Sequence, residues 1–432
     1  MKKNLHRVLF ARLVRSIDRA ADTLGFFNQP LQPEVLIRIA QQRTGLSDLG
    51  NWSVLEPLAV LVKAYREEAE LTALGRMVAG WDIVRCLSNL LTLRAEEKND
   101  PSILAEEISQ PIFILGLPRS GTTFLHNLLA QDPANLAPRC WETIYPYPLE
   151  AGPRTKPDPR PQLVAKHFAR FLWLAPELPS LHPLEANGAQ ECIEITGQVI
   201  RSMRFEATHY VPSYERWLDA TGHREAYRFH KRFLQHLQHQ NGRGRWILKS
   251  PDHIFAIDAL LDVYPDARLV FVHRDPLEVL ASVARLTEIL RQPFSRKVDR
   301  LRIGQQVSYR WALGANLLID ISLKQREPRP RIFHLNYTSL VADPLASVTA
   351  IYRYFGLALS SAARTRIEVF TAERPNGGYG QNTYRFEDYG LNPENERRQF
   401  RNYASHFRVD QKATPHHTYR SEKQIDNVSR IH

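Results

Sequence analysis

The sequence predicts an α/β protein in which a central parallel sheet carries helices on both faces, with a helical extension at the N-terminus. Four short apolar runs, rich in β-branched and aromatic residues, are each followed by a helix start. They are PIFILG from 111, RWILK from 245, RLVFVHR from 268 and RIFHLNY from 331. Strands that alternate with helices form βαβ units, whose strands run parallel and are covered by helices. Ligands of such proteins bind beyond the carboxyl ends of the strands.

Capping residues support this reading and help to divide the chain. Ser-Pro at 250, Asp-Pro at 275 and Asp-Pro at 343 each pair an N-cap side chain with a proline at the first helical position. Before residue 100, apolar residues recur at helical spacings. We predict a helical extension over 1–100, an α/β domain over 101–410 and a polar tail over 411–432. The long segment 140–244 is predicted to shape a substrate cleft.

Composition narrows the classes of protein. With 43% hydrophobic and 24% charged residues the chain is of the globular type. No apolar stretch is long enough to span a membrane, and the N-terminus lacks the apolar core of a secretory signal. Three scattered cysteines indicate neither a disulfide framework nor a zinc site, so we expect a cytoplasmic protein without a metal. The net charge of +11 favours an anionic partner. No nucleic-acid motif occurs, so we expect no nucleic acid among the partners.

A phosphate-binding loop is predicted after the first strand. The segment GLPRSGTT, from Gly116 to Thr123, has the spacing of a P-loop, G-x-x-x-x-G-K-[ST], but Thr122 stands where the lysine belongs. Backbone N–H groups at a helix N-terminus bind anions, and the two threonine hydroxyls add donors. Arg119 is the cation within the loop. A P-loop kinase or NTPase, or a nucleotide-binding protein without catalysis, is the alternative, but the sequence offers neither the P-loop lysine nor a clear metal-holding acid.

The chain resembles the sulfotransferases that use 3′-phosphoadenylyl sulfate as the sulfuryl donor. PRSGTT, at 118–123, is similar to the loop with which that family binds the 5′-phosphosulfate group. Arg274, at a strand end, and Ser282, eight residues later, match the pair with which it holds the 3′-phosphate. The resemblance is greatest to the bacterial and tyrosylprotein branch and covers about 105–400. It implies in-line transfer of a sulfuryl group to a hydroxyl or amine acceptor, with no metal.

The resemblance also implies a set of donor-binding residues from the loop and the strand ends. They are Arg119, Ser120, Gly121, Thr122, Thr123, Arg274, Ser282 and Tyr337. Tyr337, at the end of the last strand, either contacts the nucleotide or is a buried side chain of the sheet edge. Arg119 and Lys249 are implied to offset the charge on the transferred group and the leaving phosphate. The loop from Arg374 to Tyr384 weakly echoes a lid that cytosolic members carry.

The general base is the least determined residue. Glu142, in RCWET, is similar to the glutamate before threonine that serves as base in the tyrosylprotein branch. His182, Glu185 and Glu191 are rivals, since the cytosolic branch uses a histidine. The acceptor is a small molecule, a carbohydrate or a lipid. Aromatic residues of the predicted cleft suit any of these, and equally a core: Trp141, Tyr145, Tyr147, Phe168, Phe171 and Trp173. The oligomeric state is not determined by the sequence.

Overall fold

A parallel sheet lies at the centre of the protein. The computed structural model describes residues 12–14, 16–21, 23–24, 31–148, 158–324, 332–374 and 385–409. Within these residues the sheet has five strands in the order β2-β3-β1-β4-β5, and each neighbouring pair is parallel. The strands are β1 (Ile112–Leu115), β2 (Asn135–Leu136), β3 (Arg245–Lys249), β4 (Arg268–His273) and β5 (Ile332–Asn336).

Helices precede, connect and follow the strands. Before β1 lie α1 (Pro33–Thr44), α2 (Leu55–Glu67) and α3 (Ala73–Asn99). Between β1 and β3 lie α4 (Thr122–Leu129), α5 (Cys140–Ile144), α6 (Arg160–Leu174), α7 (Leu178–Leu181), α8 (Cys192–Gly197), α9 (Arg204–Thr208), α10 (Pro212–Thr221) and α11 (Arg224–Asn241). The later helices are α12 (Ile257–Val263), α13 (Pro276–Arg291), α14 (Arg300–Leu323), α15 (Tyr337–Ala342), α16 (Pro344–Tyr354), α17 (Ser361–Glu373), α18 (Pro393–Gln399) and α19 (Arg401–Phe407). Short 3-10 helices occur at Pro101–Ala105, Pro251–Ala256 and Glu387–Tyr389.

Alternate side chains of the strands enter two different cores. Ile112 and Ile114 of β1 face a core to which α4, α16 and α17 contribute. Phe113 and Leu115 face the opposite core, which the N-terminal helices and α11 share. Because helices cover both faces, the central residues of β1, β3 and β4 are apolar on both sides of the sheet, as in buried parallel strands, and polar residues lie at the strand ends. The predicted fold class, a parallel sheet of the P-loop type between layers of helices, is confirmed.

Two details near the strands differ from the sequence prediction or escaped it. The sequence predicts Tyr337 at the end of the last strand, but β5 ends at Asn336 and Tyr337 begins α15. The strand β2 carries no detectable pattern because it is only two residues long.

The three predicted N-caps are confirmed, since each side chain accepts a backbone N–H at the start of its helix: Ser250, Asp275 and Asp343.

The start of α3 is fixed against the segment that follows α13. The Thr72 hydroxyl accepts the Gly75 N–H at 3.1 Å and so caps α3, and the Thr72 N–H donates to the Phe294 carbonyl at 2.9 Å. A Cβ on Gly75 would lie 2.1 Å from the Phe294 carbonyl oxygen, so the two backbones are in direct contact. The N-terminal helices therefore pack closely on the rest of the protein, and the predicted domain limits at 100 and 410 stay predictions. In the part of the chain that the structure describes, no helix has both the length and the apolar character needed to cross a bilayer.

Candidate active site

The loop between β1 and α4 folds tightly against the end of β4. A Cβ on Gly116 would lie 2.5 Å from the Val272 carbonyl oxygen. Gly121 has a φ of 96°, and a Cβ there would lie 2.7 Å from the Tyr337 ring. A side chain at either glycine would push the loop away from the sheet, so this close approach requires glycine at both positions.

Three features of the loop and of the helix that follows it indicate an anion site. Arg119 has a left-handed φ of 68°, a conformation that is costly for a non-glycine residue and concentrates at ligand sites. The Ser120 hydroxyl is buried and, among the described residues, finds no hydrogen-bond partner. Helix α4 begins directly after the loop, at Thr122, so its first N–H groups have no acceptor within the helix. A phosphate or sulfate group would satisfy these donors.

Four residues that the sequence predicts as donor ligands come together beside the loop. Arg119 Nε donates to Ser282 Oγ at 3.2 Å, and Arg274 Nη1 donates to the Arg119 carbonyl at 3.0 Å. The Arg274 guanidinium stacks on the Tyr337 ring, 4.0 Å from its centroid, and Arg274 Nε donates to Glu278 at 2.9 Å. The structure therefore brings α13, α15 and the loop into one cationic cluster.

Lys249, at the end of β3, is a buried cation that contacts α4. Its Nζ donates to Thr123 Oγ1 at 2.9 Å and forms an ion pair with Glu191. Burial opposes the ionisation of Glu191, but Lys249 together with the neighbouring His182 and His126 outweighs burial and holds the pKa of Glu191 below its usual value. An incoming anion can replace Glu191 as the partner of the lysine or share the lysine with it.

His182 lines the same cavity as Lys249 and Glu191. Burial lowers the pKa of His182, the carboxylate of Glu191 opposes this shift, and the cations Lys249 and Arg119 add to it. The imidazole is therefore neutral at pH 7 and able to accept a proton. The carbonyl of the preceding residue, Leu181, accepts Arg119 Nη1 at 2.6 Å, which ties the histidine to the loop.

The structure does not bring Glu142 or Glu185 to the cavity wall. Glu142 is buried at the start of α5, where its Oε2 accepts the Arg139 N–H at 2.8 Å and its Oε1 accepts Asn241 Nδ2 at 2.9 Å. A carboxylate at the third position of a helix commonly bonds back to the N-cap in this way. Both oxygens of Glu142 thus serve the local fold, and its position does not support the base that the RCWET context predicts.

Asp252 is a wall residue that the sequence analysis missed. It is buried, and its Oδ2 accepts the Met203 N–H at 3.1 Å. Burial raises the pKa of Asp252 to about 7, although the bond from Met203 opposes the shift. An acidic residue in the first turn after a Ser-Pro cap commonly stabilises the helix dipole. Because this structural role explains the residue type, the sequence did not indicate that Asp252 lines the cavity.

Four further charged wall residues are paired with one another. Arg85 Nη2 lies 2.6 Å from Glu194 Oε1, and Arg204 Nη2 lies 2.7 Å from Asp82 Oδ2. Burial alone would raise the pKa of Asp82, but Arg204 and Arg85 outweigh it and lower the pKa to about 2. The two pairs join α3 to α8 and α9, and their charges balance without a ligand.

One cavity of about 1040 Å³ contains both the cationic cluster and a wide apolar wall from α3, α6, α13 and the segment after α13. The apolar wall consists of Leu74, Met77, Val78, Trp81, Phe168, Phe171, Leu174, Leu286, Leu290 and Phe294. Met77 and Trp81 line the cavity and yet are 62% and 40% exposed to solvent. The ring of Trp81 contacts that of His167 at 5.4 Å. The apolar wall therefore opens to solvent where α3 meets α6.

Only part of the predicted aromatic cleft belongs to this cavity. Phe168 and Phe171 line it, and the face of α6 that carries them forms one side of the opening. The other four predicted aromatic residues do not line it: Trp141, Tyr145, Tyr147 and Trp173. Trp141 and Tyr145 pack into a small separate core instead. The sequence offered no way to separate the two sets, because all six lie in one segment of similar composition.

Among the described residues, no group of three or more His, Cys, Asp or Glu side chains is placed to hold a metal ion. Apart from Arg374, the predicted lid lies outside the described residues, as does the predicted tail over 411–432.

Comparison with known proteins shows which family the sequence around this cavity matches. Residues 111–361 match the family model described as the sulfotransferase family, and this segment contains the loop, Lys249, Arg274 and Ser282. The omega-hydroxy-beta-dihydromenaquinone-9 sulfotransferase Stf3 of Mycobacterium bovis is 26% identical over 299 residues, which are 63% of this chain and 69% of that protein.

Two solved structures have closely similar folds. The sulfotransferase STF1 from Mycobacterium tuberculosis H37Rv superimposes with a TM-score of 0.75 and 33% identity, covering 86% of this chain and 98% of that one. The sulfotransferase STF9 from Mycobacterium avium superimposes with a TM-score of 0.78 and 28% identity, covering 87% and 97% of the two chains. The similarity thus extends well beyond the matched segment.

Proposed function

Because the chain belongs to the sulfotransferase family and transfers a sulfuryl group, we propose that its donor is 3′-phosphoadenylyl sulfate and its acceptor a hydroxyl group of a lipid-like molecule. The observation that carries the proposal is the cationic cluster at the loop. Arg119 contacts Ser282 and Arg274 while belonging to the loop itself, so one ligand with phosphates at both ends of a ribose can reach all of them.

The residues of the cluster fit this donor. The glycine cradle of the loop, the buried Ser120 hydroxyl without a partner and the N-terminus of α4 suit the 5′-phosphosulfate. Arg274 and Ser282 suit the 3′-phosphate, which a guanidinium binds through charge-assisted hydrogen bonds. The Tyr337 ring, already stacked with Arg274, supplies an aromatic surface beside them.

The apolar wall supports a lipid-like acceptor. Its side chains are aliphatic and aromatic, and the wall opens to solvent at Met77 and Trp81. Sites that bury an apolar ligand are lined in this way, with a few polar groups at the reacting end. The relative Stf3 is named for a hydroxylated dihydromenaquinone, which combines a long apolar body with a hydroxyl group.

The catalytic roles are proposed from the groups that line the cavity beside the loop. His182, neutral at pH 7, accepts the proton of the acceptor hydroxyl, and Glu191 stabilises the imidazolium that forms. Arg119 and Lys249 offset the negative charge that develops at the loop. The bound donor supplies the sulfuryl group, which passes to the acceptor oxygen as its bond to the 5′-phosphate breaks. Since these side chains supply the positive charge, we expect activity to persist in the presence of a chelator.

The donor can be tested by thermal unfolding with nucleotides. We expect 3′-phosphoadenosine 5′-phosphate to raise the Tm at concentrations where ATP with magnesium does not, because the cluster has a site for a 3′-phosphate. A larger shift with ATP and magnesium would instead favour the kinase alternative.

Substitution of Arg274 tests the assignment of the 3′-phosphate. Arg274→Ala should weaken calorimetric binding of 3′-phosphoadenosine 5′-phosphate by about 2 kcal/mol, roughly 30-fold, since it removes a charge-assisted contact. Binding of adenosine 5′-phosphosulfate, which lacks the 3′ group, should change much less. Arg285→Ala is the matched control, because Arg285 lies on α13, the helix that follows Arg274, but pairs with Glu177 and Glu288. Equal losses for both nucleotides would contradict the assignment.

A further inference from the structure

We propose that a helical segment near the N-terminus docks the protein onto the surface of an anionic lipid bilayer, beside the apolar opening of the cavity. The described residues from 12 to 23 are helical. The exposed apolar row of this helical segment consists of Leu13 and Ile17, with Leu24 directly after its last helical residue. We call this row the docking face. Three observations carry the proposal: the exposure of this row, the basic residues on the polar side of the same helix, and the attachment of the helix to the wall of the cavity.

The docking face is an apolar row without a partner among the described residues. Leu13 is 58% exposed, Ile17 is 60% exposed and Leu24 is 74% exposed. At about 100° per residue, the three positions fall within roughly 40° of one another on the helix. A globular protein normally buries such a row, and an exposed one marks a surface that binds something apolar.

Basic residues lie on the polar side of the same helix. Arg12 and Arg19 are both exposed, and they lie about 120–140° around the helix from the apolar row. The first 24 residues contain the basic residues Lys2, Lys3, Arg7, Arg12, Arg15 and Arg19, against Asp18 and Asp22. An amphipathic helix with an arginine-rich polar side and an aliphatic apolar side binds at the interface of a bilayer, and anionic headgroups strengthen the binding.

The same helix is attached to the cavity wall. Asp18 Oδ1 accepts the Leu74 N–H at 2.8 Å, at the start of α3. Leu74 lines the cavity, and so do Met77 and Trp81 further along the same side of α3. Since Asp18 lies about 120° around the helix from the docking face, that face is directed away from the body of the protein.

The opposite side of the opening has a similar character. On α6, Phe171 and Leu174 line the cavity, while Trp173 is exposed at the surface. Lys166 and Arg170 of the same helix are exposed as well. Both sides of the opening therefore combine apolar and cationic side chains. This combination matches the acyl chains and anionic headgroups of a bilayer better than it matches another protein surface, where exposed cations would need fixed acidic partners.

Docking in this orientation would place the opening of the cavity against the lipid. An apolar acceptor could then pass from the bilayer along Trp81 and Met77 to the cavity without crossing water. The passage of the acceptor rests on the proposed lipid-like substrate, whereas the binding of the docking face to a bilayer does not. The two ideas can therefore fail separately.

Vesicle co-sedimentation tests the docking face directly. The full chain is mixed with vesicles of phosphatidylcholine and phosphatidylglycerol in a two-to-one ratio, and with vesicles of phosphatidylcholine alone, at physiological ionic strength. We expect binding to the anionic vesicles and at least about ten-fold weaker binding after Leu13→Asp with Ile17→Asp. The matched control is Leu55→Asp with Leu323→Asp, which replaces exposed leucines that do not line the cavity and should bind as the wild type does. Arg12→Gln with Arg19→Gln should cost about five-fold for each arginine on anionic vesicles.

The remaining outcomes decide against the proposal. Wild-type protein that stays in the supernatant with both kinds of vesicle, or a Leu13→Asp, Ile17→Asp variant that binds like the wild type, overturns it. A wild type that is dimeric in solution, and a variant that is monomeric, would make the face a contact between two copies of the chain. Calorimetric binding of 3′-phosphoadenosine 5′-phosphate should be equal in all variants, which shows that they are folded and separates this test from that of the donor.

Discussion

His182 lines the cavity, and the carboxylate of Glu191 and the cations Lys249 and Arg119 influence its pKa. Its backbone neighbour is bonded to Arg119, and its side chain lines the cavity with Glu191 and Lys249. A histidine in such a setting can lose and gain a proton near neutral pH, whereas a carboxylate paired with lysine is a weak base. Experiments can therefore distinguish His182 from Glu191 as the base.

Replacement of His182 tests the base at the level of a single residue. His182→Asn should lower kcat by about 100- to 10,000-fold, because general-base catalysis is worth this much. Glu142→Gln should leave kcat within a few-fold, because Glu142 does not reach the cavity. Affinity for 3′-phosphoadenosine 5′-phosphate, measured by calorimetry, should persist in both variants. Loss of turnover in Glu142→Gln alone would restore the base that RCWET predicts.

The pH dependence of kcat/KM gives a second readout. The base must be deprotonated, and burial lowers the pKa of His182. Activity should therefore hold down to pH about 6.5, the ordinary histidine value, and fall as the pH drops further. A fall that begins only below about 4.5, the range of a carboxyl group, would point to Glu191 instead. In Glu191→Gln the fall should start at lower pH than in the wild type, because the imidazolium loses its negative neighbour.

At the same scale, the residues that the sequence could and could not predict differ in kind. That Arg274 and Ser282 line one cavity was predictable, because a strand end and the next helix fix their separation, while their role as phosphate ligands stays a prediction. Glu142 as the base stays a prediction, and the sequence could not show its local use, because a glutamate three residues into a short helix can also bond to the N-cap backbone. His182 and Glu191 could be named only as rivals, since their approach to Lys249 depends on the fold.

Helix α3 is the element that joins the N-terminal region to the cavity. Its cap residue and its first turn rest on the backbone at Phe294, and its wall residues follow within three turns. Strands β1, β3, β4 and β5 were predictable from apolar runs alone, because both faces of the sheet are buried. The role of α3 was not, because a helix with apolar residues on most sides does not disclose which of them line a cavity.

Substitution of Gly75 tests the contact of α3 with Phe294. Gly75→Ala places a methyl group on the Phe294 carbonyl and should lower the free energy of unfolding by about 1–3 kcal/mol, as overpacking does. It should also raise the KM for the acceptor, because the apolar wall is displaced, while nucleotide affinity is retained. Gly80→Ala is the matched control on the same helix, since its nearest neighbour is the flexible end of Leu31. A variant with unchanged stability and KM would show that the two backbones can separate freely.

The molecule as a whole buries many neutral histidines. Burial lowers the pKa of His126, His223 and His334 to about 4 and that of His209 and His230 to about 3. Each of them binds a proton more readily in the unfolded chain, so its contribution to stability is complete above pH about 6.5 and is lost as the pH falls toward 4. Asp252 and Glu215 act in the opposite direction, because their raised pKa of about 7 makes the folded state hold protons.

Since the histidines outnumber these two acids, we expect the free energy of unfolding to fall on acidification. Denaturant titrations should show a loss of about 3 kcal/mol or more between pH 6.5 and 5. The slope of the free energy of unfolding against pH reports the number of protons taken up on unfolding. This number should decrease by about one in His230→Gln, which removes a buried titrating group. His239→Gln, at a more exposed position of the same helix, should alter it less. A flat profile over this range would mean that the histidines are solvated in the folded state.

The wall of the cavity reaches solvent at more than one place. Glu278 and Val341 are exposed wall residues on α13, which follows Arg274, and on α15, which begins at Tyr337, while Met77 and Trp81 are exposed on α3. Two reactants that enter the cavity through separate openings can bind and dissociate independently of each other. The spent nucleotide can leave and be replaced while the sulfated product diffuses out on its own side, so the steady-state kinetics should be those of a ternary complex with random order. The spent nucleotide should then compete with the donor but not with the acceptor, and one protein molecule could complete many turnovers during a single visit to a lipid surface.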